Sequence, residues 1–326
     1  MSLLEKRNTY KPFEYPWAYQ AYKEQANMHW LPKEIPLDED VTDWNYRLSP
    51  EEKALLTQLF RFFTQTDIDV ASGYLDKYIP IFKPVEIRMM LSTFAAMEAI
   101  HIEAYALLLD TIGMPETEYA AFQEFKEMKD KHEYLESIEP TSMASIAKSL
   151  AVYSAFGEGL QLFSSFAILL NFPRFNKMKG MGQIVTYSIK DESLHVESMV
   201  KLFHTFLDEH PKIWNDRLKK EIYQACRDMV DLEDRFIDLA FSAGPMEGLS
   251  SSETKDYIRY IADRRLLQLG LKPNYGQKDN PLPWLDWIIN APEHSNFFET
   301  KSTSYSKLAY SGSWDSVWKS IDKHFL

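Results

Sequence analysis

Two short runs in the 326-residue chain carry one pattern: Glu98-Ala-Ile-His101-Ile-Glu103 and Glu192-Ser-Leu-His195-Val-Glu197. Both are set in apolar sequence, the first within Met89 to Leu109 and the second within Thr186 to Leu207. On an α-helix, turning about 100° per residue, positions i and i+3 share a face one turn apart. The Glu and His of each run can therefore address a common spot, while Glu103 and Glu197 face elsewhere. Two further acids complete the set: Asp67 in Gln65-Thr66-Asp67-Ile68-Asp69, and Glu158 in Ala155-Phe156-Gly157-Glu158-Gly159-Leu160. An ionised carboxylate buried without a partner is costly, and several together repel one another and take up protons. Two divalent cations balance four carboxylates and leave two neutral imidazoles as the remaining ligands. Asp67, Glu98, His101, Glu158, Glu192 and His195 are therefore the expected metal ligands. Hard oxygen donors with imidazole suit iron or manganese, as Fe2, Mn2 or mixed Mn/Fe. A single Glu-x-x-His is ordinarily an exposed helical pair. Two copies in apolar helices, with an isolated acid in each of two more, match a helical bundle that holds a pair of metal ions in its core.

Those ligands need four helices to hold them. Ser49-Pro50-Glu51-Glu52 supplies a helix start, with Ser as N-cap, Pro at the first helical position and Glu three residues past the cap. That helix should run to about Tyr78, before Pro80. A second spans Pro84 to Leu109, with Gly113 as a stop beyond it. Glu116 to Tyr134 reads as a solvated, one-faced helix, and Thr141 to Asn171 as a long apolar one ending before Pro173. Gly180 to Leu207, Lys212 to Ser242 and Ser251 to Leu269 follow, and no strand pattern competes. The expected fold is all-α, a ferritin-like helical bundle with a di-metal carboxylate centre in its core and extra peripheral helices. Residues 1–47, rich in Trp, Tyr and Pro and without periodicity, should form an arm packing on the bundle. Residues 48–290 are the helical domain, and 291–326 a flexible C-terminal tail.

Composition narrows the chemistry. Thirty-six Lys+Arg against 48 Asp+Glu give a net charge of −12, unsuited to gripping a nucleic-acid backbone. Hydrophobic residues make up 45 % of the chain, which rules out a disordered polymer. With 11 glycines the chain is poor in the turns of all-β folds and phosphate-binding loops. Its one cysteine, Cys226, excludes a disulfide framework, a cysteine zinc cluster or an iron–sulfur site within the chain. The charged, polar start does not read as a signal peptide, and the longest apolar stretches are interrupted before about 18 residues. The expectation is a soluble cytoplasmic protein with no membrane span.

A di-metal bundle alone admits oxygenases and desaturases, manganese catalases, ferritins and radical-generating subunits. Over about residues 25 to 310 the chain resembles one family, the small, radical-harbouring subunit of class I ribonucleotide reductase. The ligand spacings match, with 31 residues from Asp67 to Glu98 and 34 from Glu158 to Glu192. Tyr105, one turn beyond His101, stands where the family's oxidised tyrosine stands. Trp30-Leu31-Pro32-Lys33-Glu34 is similar to the family's Trp-x-Pro-x-Glu. Asp191 resembles its acid linking that Trp to a ligand His, here His101. Asn296-Phe297-Phe298-Glu299 followed by Tyr305 resembles its Asn-Phe-Phe-Glu motif and tail tyrosine. Lys190 replaces the Arg common before the Asp-Glu pair, and Leu162 replaces a Phe found in some members, while Phe166 is retained.

The resemblance implies that the metal pair supplies an oxidising equivalent to Tyr105. Asp191, Trp30 and Tyr305 then pass it to a catalytic large subunit that reduces ribonucleotides. It also implies a homodimer, docking of the tail ending Lys323-His324-Phe325-Leu326 on the large subunit, and activation by a flavoprotein or another electron donor. One cysteine agrees with thiol chemistry residing in that partner. The rival readings are a di-iron oxygenase or desaturase, and a ferritin-like storage protein.

Overall fold

Ser49 opens the first long helix by reciprocal capping. Its hydroxyl accepts from the Glu52 amide at 3.2 Å, and the Glu52 carboxylate accepts from the Ser49 amide at 2.9 Å. Pro50 follows where no amide hydrogen is needed. The computed structural model describes residues 2–290, with the side chains of 63–65 and 287–290 left out. Tyr305, the Asn296–Glu299 motif and the tail expected over 291–326 lie outside the described residues.

Among the described residues nine longer helices carry the fold: α1 (Pro16–Asn27), α2 (Pro50–Ser72), α3 (Val85–Ile112), α4 (Lys126–Glu136), α5 (Met143–Arg174), α6 (Lys179–Glu209), α7 (Asp216–Phe241), α8 (Ser251–Gln268) and α9 (Pro283–Asn290). Among the described residues the one β-type pairing is an isolated bridge between Met246 and Leu249. Helices α2 and α3 pack as one pair and α5 and α6 as another. The pairs meet through α3 against α6 and α2 against α5, which makes the four-helix core. Helices α7 and α8 cover the outside of α5, and α1 lies across α3 and α6.

Two parts of α5 and α6 depart from simple helices in ways that place the acids. Ala151–Gln161 within α5 is π-helical, its hydrogen bonds spanning one residue more than in the α form. Every residue of that segment is buried. The segment is kept close to α8 by Gly159, whose added Cβ would lie 2.6 Å from Arg265 Nε. That same Nε donates to the Gly159 carbonyl at 2.8 Å. The start of α6 is held by the arm, since Asp43 accepts from the Met178 amide at 2.7 Å and Asp40 from those of Gly180 and Met181 at 2.8 Å. Negative charge at a helix N-terminus is favourable there, because the first amides have no partner within the helix.

Several expected boundaries shift. Helix α2 proper ends at Ser72, and a π turn over Gly73–Tyr78 carries the helical path past the expected end near Tyr78, through Ile79–Ile81. Helix α5 includes Pro173 in its last turn, facing Gly182 of α6, where a Cβ would fall 2.3 Å from the proline Cγ. The stretch expected to be helical from Glu116 breaks into short turns before α4. The arm is not irregular: it holds α1 and the helical turns Asp38–Thr42 and Asp43–Arg47. In α1 the buried residues are Ala18, Ala21 and Gln25, a narrow stripe with little hydrophobic contrast. Met143–Arg174 is long and apolar enough to cross a membrane by composition, contrary to expectation, but its most apolar window is wholly buried in the fold. It is the core helix of the bundle.

Candidate metal centre

The six expected ligands come together. Asp67 on α2, Glu98 and His101 on α3, Glu158 in the π-helical part of α5, and Glu192 and His195 on α6 are all buried. Glu98 Oε2 lies 3.3 Å from His101 Nδ1, and its other oxygen, Oε1, lies 3.2 Å from His195 Nδ1. Glu192 repeats this, with Oε1 3.5 Å from His101 Nδ1 and Oε2 3.6 Å from His195 Nδ1. Each of the two paired-motif acids thus offers one oxygen to each histidine. Glu158 Oε1 stands 3.4 Å from His195 Nδ1, and Asp67 groups with Glu98 and His101. Two overlapping nests of donor atoms result, Asp67–Glu98–His101 and Glu98–Glu158–Glu192–His195. Glu103 and Glu197, on the same helices, are exposed, and Glu197 pairs with Lys201 at 2.8 Å.

The donor set fits two cations. Asp67 Oδ2, Glu98 Oε1, Glu192 Oε2 and His195 Nδ1 are buried and make no hydrogen bond, although buried polar atoms are otherwise satisfied as a rule. Each histidine turns Nδ1 toward the acids and Nε2 outward: His101 Nε2 to Asp191 at 3.1 Å, His195 Nε2 to Gln25 at 3.1 Å. A donor on Nε2–H leaves the Nδ1 lone pair facing the acids, the arrangement that orients a ligating imidazole. The charge load is visible in the acids themselves. Burial, reinforced by Glu98, holds Asp67 well above the usual carboxylate range, and burial with Glu192 and Glu98 nearby takes Glu158 up to about 7. Burial works against the imidazolium at His101, yet Glu98 beside it prevails and raises its pKa.

The other expected residues stand as follows. Trp30 is buried, donates from Nε1 to Asp191 Oδ2 at 2.9 Å, and lies nearly parallel to the His101 ring with centroids 6.0 Å apart. Tyr105 is 3 % exposed, one turn along α3 from His101, and its hydroxyl reaches Ser188 Oγ at 3.4 Å. Burial, with Asp67 adding to it, raises its pKa. Lys190 lies over the ring of Tyr187, which itself packs beside Trp30. Two residues at the centre escaped sequence reasoning. Gln25 is fully buried and joins the two histidines, donating to Asp191 Oδ1 at 2.7 Å while its carbonyl oxygen faces His195. Tyr74 donates a hydrogen bond to Glu158 Oε1.

Fold and site together define a ferritin-like helical bundle with a buried carboxylate–histidine centre fit for two metal ions. The family description "Ribonucleotide reductase, small chain" matches residues 7–281. A relative from invertebrate iridescent virus 6, named "Probable ribonucleoside-diphosphate reductase small subunit 376L", is 43 % identical, with 98 % of this chain and 99 % of that protein covered. A ribonucleotide reductase R2 subunit from Clostridium botulinum shares the fold with a TM-score of 0.80 at 23 % identity, over 87 % of this chain and 91 % of the other. A dimanganese(II) NrdF structure from Streptococcus sanguinis gives 0.77 at 22 %, over 87 % and 99 %. The chain belongs to the ribonucleotide reductase small-chain family, whose part in the enzyme is to generate the radical used by a separate large subunit.

Proposed function

We propose that Asp67, Glu98, His101, Glu158, Glu192 and His195 hold two iron or manganese ions and that Tyr105 stores the radical. When bound, the metal pair supplies the oxidising equivalent, drawn from oxygen or a reduced oxygen species delivered by a flavoprotein or other electron donor. Tyr105 suits storage because burial shields a neutral phenoxyl from solvent and reductants. Asp191 holds the Trp30 indole and the His101 imidazole on one carboxylate oxygen, giving a continuous hydrogen-bonded link from the centre to the arm. Trp30 and the tail residue Tyr305 then relay the equivalent to the catalytic large subunit, which reduces ribonucleoside diphosphates. The tail over 291–326 is the docking segment for that subunit, and the small chain works as a cytoplasmic homodimer that binds neither nucleic acid nor membrane.

The observation that carries this reading is the sharing of Glu98 and Glu192 between both histidines, with unpartnered buried donors between them. The test is nucleotide reduction by the metal-loaded chain with and without a cognate large subunit. Activity only with the partner, and loss of that activity in Tyr105→Phe with metals retained, is the expected result. Turnover of a small-molecule substrate without any partner contradicts it.

A further inference from the structure

Tyr105 is not the only phenol at the centre. Tyr74, in the π turn that follows α2, is 2 % exposed and gives its hydroxyl hydrogen to Glu158 Oε1. Its ring meets the His195 imidazole edge-on at 5.9 Å and Phe94 at the same centroid distance. Tyr74 thus belongs to the His195 half of the donor cluster, as Tyr105 belongs to the His101 half. The environments of the two hydroxyls differ. The Tyr105 hydroxyl reaches the Ser188 hydroxyl at 3.4 Å, and the Tyr74 hydroxyl donates to a carboxylate. A carboxylate oxygen beside the hydroxyl gives the leaving proton a place to go.

We propose that Tyr74 is a second oxidisable phenol of this centre, competing with Tyr105 for the oxidising equivalent. The inference rests on the radical-generating reading above, which supplies the oxidant. In the step, the Tyr74 O–H bond breaks. One electron reduces the oxidised centre, the proton passes to Glu158 Oε1, and a neutral phenoxyl remains on Tyr74. Two neighbours extend an aromatic line outward: Tyr78 at 6.4 Å from Tyr74, and Tyr153 at 6.1 Å from Tyr78. Gly73 admits Tyr153 to this line, since a Cβ there would lie 2.8 Å from the tyrosine Cε1. The step places the hole on Tyr74, whose hydroxyl faces the Glu158 carboxylate, while the Tyr78 hydroxyl contacts the Ser149 carbonyl and hydroxyl. Tyr74 therefore holds a hole apart from the Asp191–Trp30 link and diverts it from export.

The test uses the full chain carrying Tyr105→Phe, alone and with Tyr74→Phe. It is loaded with ferrous iron and oxygen, or in parallel with manganous ion and superoxide, and read by EPR with metal content measured on the same samples. A tyrosyl signal in Tyr105→Phe that disappears in the double variant is expected. Absence of a tyrosyl signal in metal-loaded Tyr105→Phe, or its survival in the double variant, overturns the inference. Should Tyr105→Phe fail to load, Tyr74→Phe alone decides. A higher Tyr105 spin yield per bound metal pair is expected, and an unchanged or lower yield overturns the inference. A wild-type spectrum unaltered by Tyr105→Phe but abolished by Tyr74→Phe would uphold this inference while contradicting the role given to Tyr105.

Discussion

Two groups of buried acids lie in the same bundle and are neutralised in opposite ways. Glu233 on α7 has a cation of its own: Lys131 of α4 forms a close ion pair with it, and Ser164 donates to its other oxygen. The Lys131 ammonium also lies over the rings of Phe62 and Phe236, at 3.7 and 4.4 Å from their centroids. Glu98, Glu158 and Glu192 instead make their ion pairs with two imidazoles, and several of the atoms in that cluster have no hydrogen bond at all. A fold able to place a lysine against one buried acid has left four others without one. Glu233 carries its counter-charge in the sequence; on the proposed reading the acids of the centre receive theirs from bound metal ions.

The comparison can be broken from either side. Lys131→Met strands Glu233 and should destabilise the chain by about 3–5 kcal/mol, while Lys131→Met/Glu233→Leu recovers most of that loss. Denaturant unfolding of the metal-free protein measures both; a single variant no less stable than the double one would remove Lys131 as the neutralising partner. At the centre the sign reverses. Asp67→Asn removes a charge that burial and Glu98 already disfavour, so the metal-free chain should gain stability, by about 1 kcal/mol or more for each unit by which the native pKa is raised. A lower melting temperature in metal-free Asp67→Asn would show that the acids are already neutralised within the protein.

The smallest effect is on pH dependence. Burial raises the Glu233 pKa, with Lys131 opposing it, so the folded chain keeps that proton to higher pH than the unfolded one. Its contribution to stability therefore falls as pH rises from about 4.5 toward the folded value. Burial lowers the pKa of Lys131, so at the alkaline end stability rises between its folded value and 10.5. Against Lys131→Met/Glu233→Leu, which has neither proton, the native chain should lose melting temperature across the acidic window and regain it in the alkaline one. A difference that stays constant with pH contradicts this.

Glu98 and His101 were legible as candidates because they are polar residues at helical spacing in an otherwise apolar span; Glu192 and His195 repeat that spacing, and Asp67 and Glu158 complete the charge balance. The four long core helices were legible from their apolar spans. Gln25 was not, because α1 buries two alanines and a glutamine, too little hydrophobic contrast to mark a helix in a Pro- and aromatic-rich arm. Lys131 sits in a charge-rich run that reads as solvated, and nothing in Lys126–Glu136 announces that one lysine turns inward. The π-helical turns at Gly73–Tyr78 and Ala151–Gln161 leave no mark either, since hydrogen-bond register is not written in the residue types. Tyr74 was hidden by that turn, which brings it to Glu158 from a position with no special spacing.

The most direct measurement is the metal content of the full chain after loading with ferrous or manganous ion, beside Glu98→Ala. Glu98 belongs to both donor nests, so its loss reaches both sites at once. Two ions per native chain, and loss of that stoichiometric binding in Glu98→Ala, is the predicted result. A native chain that binds one ion or none, or a Glu98→Ala chain that still binds two, would contradict the account.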